Sequence, residues 1–183
     1  MRTLSLPSIR TGVLVMWCLL MPFLTKATTY YSRTNNGFWN DPLTWSTVGY
    51  GNATNTATYP KKGDLVLIGD GYTIVMNLNA VCAGITVGQG TSGALEYSSF
   101  LAFTLTVAGS VTINNGAHLS VPGNNSKQHN LFISGSLTNN GSVDLYQDAD
   151  DYVNLVFNSA VNSTVTGAGT WDLNKVTVFK STL

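Results

Sequence analysis

Charge is scarce in this 183-residue chain: Asp, Glu, Lys and Arg make up 10% of it, nine basic residues against nine acidic. With no excess of either sign, the chain as a whole offers no electrostatic case for nucleic acid or for an anionic membrane surface. The shortage also argues against exposed helices, which lean on Glu, Lys and Ala. Asn, Thr, Ser and Gly fill the polar positions instead, as is usual in extracellular β proteins. Cysteine is nearly absent, with only Cys18 and Cys82. Long apolar runs are absent too, save one: Val13 to Leu24. That run falls short of the ~20 residues needed to cross a bilayer.

Arg2 and Arg10 precede the apolar run, and Thr25-Lys26-Ala27 follows it. A charged start, an apolar centre and a small-residue exit form the plan of a secretory signal peptide, assigned to residues 1–27 with cleavage after Ala27. Its removal leaves six basic residues against nine acidic, a net charge of −3, and no membrane span in the mature chain. Cys82 is then alone, so no internal disulfide can form. Its setting, Asn79-Ala-Val-Cys-Ala-Gly84, reads as a small buried position. Stability has to come from apolar burial and stacked backbone hydrogen bonds.

A short phrase is written twice. Leu105-Thr-Val-Ala-Gly-Ser-Val-Thr-Ile-Asn-Asn-Gly116 is answered by Leu131-Phe-Ile-Ser-Gly-Ser-Leu-Thr-Asn-Asn-Gly141. Gly109 and Gly135 lie 26 residues apart, Gly116 and Gly141 lie 25 apart. Each copy has alternating apolar residues, a Gly-Ser corner, a second strand and an Asn-Asn-Gly turn. A near-constant period with strand patterning marks a β-solenoid, one coil per repeat. The expected fold is therefore all-β: a short right-handed parallel β-helix with an N-terminal capping segment. A β-sandwich gives similar strand spacing and is the alternative, but it does not require corner glycines in step.

The chain divides into a tryptophan-bearing cap segment, 28–59, and solenoid coils, 60–183. Trp39 and Trp45 flank Pro42, so they cannot share one regular strand and are expected to fold over the open end of the first coil. Leu65 to Ile68 is a continuous apolar run, expected to be buried on both faces. A looser third copy surrounds Gly167, 32 residues beyond Gly135. The excess over the period places an insertion in the acidic loop 147–151. Asn114 and Asn139, at matched places in the two copies, are expected to stack as an amide ladder.

Tyr30-Tyr31-Ser32, Trp39-Asn40 and Thr44-Trp45-Ser46 are followed by Pro60-x-x-Gly63-Asp64-x-Val66-x-Ile68, Gly71-x-Thr73-x-x-x-Asn77 and Ile85-Thr86-Val87. This opening resembles the G-eight domain, named for its eight glycines, and the N-terminal β-helical region of large secreted, adhesin-like bacterial surface proteins. The match covers about Tyr30 to Val121. The resemblance implies paired strands, a secreted or cell-surface location and an extracellular polysaccharide or cell-surface glycan as partner; Phe179-Lys-Ser-Thr-Leu183 follows straight after a strand, so the chain is expected to continue into downstream domains.

Site candidates are few. Tyr50, Trp39 and Trp45 could stack against a sugar; the competing reading makes the two tryptophans a cap. Asp148, Asp150 and Asp151 offer carboxylates in one loop and are weak calcium candidates. Paired carboxylates for glycoside cleavage would have to come from Asp64, Asp70, Glu96, Asp144 and Asp172, brought together by stacking of the coils. His118 and His129 have no metal-ligand spacing, and neither a nucleophile elbow nor a phosphate-binding glycine loop occurs. The sequence thus points to a non-enzymatic surface module without a cofactor, structural and adhesive. The alternative is the N-terminal part of a polysaccharide-degrading β-helix enzyme.

Overall fold

The computed structural model describes residues 27–123 and 126–179. The signal peptide assigned above lies outside these residues except for Ala27. Strands β1 (Thr29–Ser32), β2 (Gly37–Phe38) and β3 (Trp45–Ser46) open the described chain, with a 3-10 turn at Pro42–Thr44. Coils of three strands follow: β4 (Leu65–Ile68), β5 (Thr73–Met76) and β6 (Ala80–Cys82), then β7 (Gly84–Val87), β8 (Ala94–Tyr97) and β9 (Thr104–Val107). The next are β10 (Val111–Ile113), β11 (His118–Ser120) and β12 (Gln128–Ile133), then β13 (Leu137–Asn139), β14 (Ser142–Asp144) and β15 (Tyr152–Phe157). Strands β16 (Val165–Thr166), β17 (Thr170–Asp172) and β18 (Val176–Val178) close the series.

Corresponding strands stack into three sheets, ordered β16-β13-β10-β7-β4-β1-β3, β17-β14-β11-β8-β5-β2 and β18-β15-β12-β9-β6. Pairing within them is parallel apart from β1 with β3. This is a β-solenoid, and the sandwich alternative falls. Among the described residues no helix is long and apolar enough to cross a membrane.

Alternation along each strand sends every second residue inward, where it meets its counterpart one coil away. In the first sheet Val66, Ile85, Val111 and Leu137 form one column. Ile74, Leu95, Leu119 and Val143 do so in the second, and Ala80, Leu105, Leu131 and Leu155 in the third. All twelve are buried, and each large aliphatic side chain contributes about 1.5–3 kcal/mol. The corner glycines keep step because the stacked backbones leave no room for side chains. Gly135 N–H donates to Gly109 O at 2.8 Å, and a Cβ on Gly135 would lie 2.5 Å from the Gly109 carbonyl carbon. Cys82 is fully buried in this core, and burial pushes its thiol up to about 12.

Four details of the sequence reading need correction. Leu65 and Leu67 of β4 face outward, Leu65 being 44% exposed, because a single-layer solenoid wall has solvent on its outer side. Asn114 and Asn139 are not partners: Asn139 pairs with Ile113 and is fully buried in the column of Val87 and Ile113. There its amide donates to Thr170 O at 2.7 Å and accepts from Gly141 N–H at 3.0 Å, closing the turn with one residue fewer. An amide ladder does exist, on the third sheet, where Asn154 donates to Asn130 Oδ1 at 3.2 Å. Gly167 answers Asn139 rather than Gly135, since Leu137 pairs with Val165. The extra residues fall at 158–164, between β15 and β16, not in the acidic loop.

Candidate functional site

The two tryptophans lie inside the fold. Trp39 and Trp45 are both fully buried, with ring centroids 5.5 Å apart in an edge-to-face arrangement. Trp45 Nε1 donates to Trp39 O at 2.8 Å, and Trp39 Nε1 to Pro60 O at 3.4 Å. Asp41 caps the intervening 3-10 turn by accepting from Leu43 N–H at 2.9 Å. Both indoles are thus packed inside the fold, and neither has a face open to a sugar. Tyr50 is half-buried instead. Its ring meets Tyr31 edge-on at 5.1 Å and lies over Gly69, where a Cβ would come within 2.6 Å of it. Burial first, then Tyr31 and Asp70, raise its hydroxyl pKa.

Asp70, beside this tyrosine corner, pins the next coil. Its carboxylate accepts from Thr91 Oγ1 at 2.7 Å and from the backbone N–H groups of Gln89 at 2.6 Å and Ser92 at 3.1 Å. The Thr91 hydroxyl first, then the Gln89 amide, hold the carboxyl down at about 2, below its ordinary 3.8. A lowered folded-state value means that the clamp is complete above about pH 4 and is lost as pH falls toward 2. Asp70→Asn is expected to speed hydrogen exchange at the Gln89 and Ser92 amides about ten-fold while leaving the inner strands protected. Unchanged exchange there would remove the clamp role.

The other carboxylates separate by role. Asp64 accepts from the backbone N–H of Thr28 at 3.0 Å and of Lys61 at 2.8 Å, a turn-fixing role. Glu96, Ser120, Asp144 and Asp172 form one outward column on the second sheet, with Asp144 and Asp172 direct partners. The calcium candidates do not converge. Asp148 Oδ1 accepts from the N–H groups of Asp150 and Asp151 at 2.8 and 2.9 Å, while Asp151 is buried with Oδ1 on Lys127 N–H. Among the described residues no three His, Cys, Asp or Glu side chains are placed to hold a metal ion.

His118 is exposed and His129 fully buried, near the rings of Tyr97 and Phe103. His129 Nδ1 accepts from Phe103 N–H at 3.0 Å, so its proton sits on Nε2, which meets no partner. Burial, partly offset by Asp151, lowers the imidazole from 6.5 to about 4. The unfolded chain therefore binds this proton first as pH falls. The contribution of His129 to stability is expected to be full above about pH 6.5 and to fall by on the order of 3 kcal/mol as pH drops to about 4. Urea unfolding at several pH values would read this slope, and His129→Phe should flatten it.

Sequence reasoning missed the outer face of the first sheet. Thr86, Thr112, Thr138 and Thr166 stand there in one register-matched column, spaced at the strand separation of about 4.8 Å. Ser110, Ser136 and Thr164 run beside them, with Ser136 N–H donating to Ser110 Oγ at 3.1 Å and Thr164 N–H to Ser136 Oγ at 3.1 Å. The signal was present as Ser-Val-Thr112, Ser-Leu-Thr138 and Thr-Val-Thr166. At the N-terminal end of this column a shallow concavity of about 290 Å3 opens over Gly84, between Leu65, Leu67 and Ser110. The arrangement can present rows of hydroxyls, amides and carboxylates at a fixed repeat. No protein-family profile, curated protein or solved structure matches the chain.

Proposed function

We propose that the protein is a secreted or cell-surface β-solenoid module with a structural and adhesive role, making weak contacts with extracellular glycans along its outer face. The observation that carries this reading is the in-register threonine column Thr86, Thr112, Thr138 and Thr166. Identical side chains at a constant interval contact a repeating polymer at several points, each weak alone and strong together. The leader, the resemblance to surface-protein openings and the low charge agree with it. A glycan array read with the protein free and with it clustered on beads tests the idea. Binding should emerge only when clustered and should weaken for Thr112→Val/Thr138→Val and for Tyr50→Ala. Silence of the clustered form on every glycan would sink the adhesive role.

The enzymatic alternative has one observation in its favour. Asp144 and Asp172 are register partners, and a strand separation of about 4.8 Å is near the ~5 Å between the carboxyls of retaining glycosidases. Release of reducing ends from a polysaccharide panel, abolished by Asp144→Asn, would favour this reading over the adhesive one.

A further inference from the structure

The outer face of the first sheet is not uniform along its length. Below Thr86 the threonine column continues to Leu67 and Tyr31. The column beside it runs Thr29, Leu65, Gly84, Ser110, Ser136 and Thr164. Gly84 is the one position of this second column with no side chain. Unlike the corner glycines it sits within a regular strand, β7. A Cβ there would meet the tip of the Leu65 side chain at 3.2 Å and Ser110 O at 3.5 Å. The first neighbour can rotate away and the second is at ordinary contact distance, so stacking of the coils does not demand glycine here. The missing side chain instead opens the concavity of about 290 Å3 over β7. That is near the ~300 Å3 lower bound of ligand pockets, room for one sugar ring.

Hydroxyl groups are engaged unequally along the same face. At its C-terminal end Thr138 and Thr166 Oγ1 lie 3.3 Å apart, and Thr164 Oγ1 donates to Ser136 Oγ at 3.0 Å, so these groups bond one another. Around the notch they do not. Ser110 Oγ accepts from Ser136 N–H at 3.1 Å and has its own proton to give. Among the described residues the hydroxyls of Thr86 and Thr112 meet no partner within the protein. One side of the notch is therefore apolar, with Leu65 and Leu67, and the other carries three hydroxyls. Both columns are uncharged throughout, so the face offers an anionic polymer no counter-charge.

Resting on the adhesive reading above, we propose that the glycan is an uncharged polysaccharide and that one of its sugars sits in the Gly84 notch. Its C–H face would lie on Leu65 and Leu67, and its hydroxyls would bond Thr86, Ser110 and Thr112, the mixture of apolar wall and few polar groups that ligand sites use. The rows beyond the notch guide the chain, and the notch anchors it. One shallow subsite binds weakly, so several copies must act together.

An array of uncharged chains (cello-, manno- and chitohexaose among them) and of uronate chains such as hexagalacturonate, probed with the full chain clustered on beads, tests the proposal. Binding should fall on uncharged chains and should not weaken with added salt. Gly84→Thr, which fills the notch with the residue type of the neighbouring rungs, should cut it about ten-fold. Its thermal midpoint should not drop, because threonine suits a strand better than glycine. Thr112→Val should cost more than Thr138→Val, whose hydroxyl is already engaged. Undiminished binding by Gly84→Thr would remove the notch and leave the adhesive reading standing. Binding confined to uronate chains and released by salt would overturn the uncharged class. Silence of the whole array would instead end the adhesive reading, and this one with it.

Discussion

Trp45→Ala is expected to lower the unfolding free energy by about 3–5 kcal/mol. Trp45 is fully buried and packs edge-on against both Tyr30, at 6.4 Å, and Trp39, at 5.5 Å. Its removal leaves a large cavity and strips Trp39 O of the indole N–H that it accepts from. A domain of this size is held by about 5–15 kcal/mol in all, so the variant should be marginal at 37 °C. Because each coil contacts only its neighbours, the damage should begin at the N-terminal end and fade along the stack. Hydrogen exchange should therefore rise most in β1, β2 and β4 and least in β12 and β15. Trp45→Phe should lose less, since it refills most of the space but leaves the Trp39 carbonyl unpaired. Leu43→Ala, at a side chain 55% exposed on the adjoining turn, should stay within about 0.5 kcal/mol of the parent. A urea midpoint for Trp45→Ala equal to that of Leu43→Ala would rule out the capping role.

The burial of Trp39 and Trp45 was legible because two tryptophans around Pro42 cannot share one regular strand and need a chain reversal over a core. The solenoid was legible for a related reason: a Cβ at Gly135 would meet the backbone of Gly109, so the period survives in the sequence as glycine. Register within a coil was harder to read. Asn114 and Asn139 follow the same local phrase, yet burial of Asn139 and its self-closed turn shift the second copy by one residue. Similarly, Leu65 to Ile68 reads as doubly buried only if a second layer covers the wall, and solvent is on that side of Leu65 and Leu67. The outer columns were the least visible. Thr86 and Thr166 lie 80 residues apart, and strand stacking alone brings them onto one line.

Gly116→Ala carries the second large effect, and a control glycine separates its two causes. Gly116 sits at φ +73 with Thr91 O only 2.3 Å from where a Cβ would be, and the Thr91 carbonyl carbon at 2.5 Å. Left-handed backbone costs a non-glycine residue on the order of 1–3 kcal/mol. Forcing a methyl into packed backbone costs about 1–3 kcal/mol more. The contact is with main chain, which cannot rotate away, so the turn between β10 and β11 has to separate from the 88–93 turn beneath it. Gly71 has nearly the same φ, +79, but nothing within 4 Å of its Cβ position. Gly71→Ala should therefore show the conformational cost alone. The expected result is a loss of about 2–6 kcal/mol for Gly116→Ala and less than half of that for Gly71→Ala. Exchange of the amides that join adjacent coils at this corner, His118 N–H to Gly93 O and Ser142 N–H to Ala117 O, should accelerate only in the first variant. Equal losses in the two variants would mean that backbone strain alone fixes glycine at the corner, and that the close approach of stacked turns contributes nothing to the period.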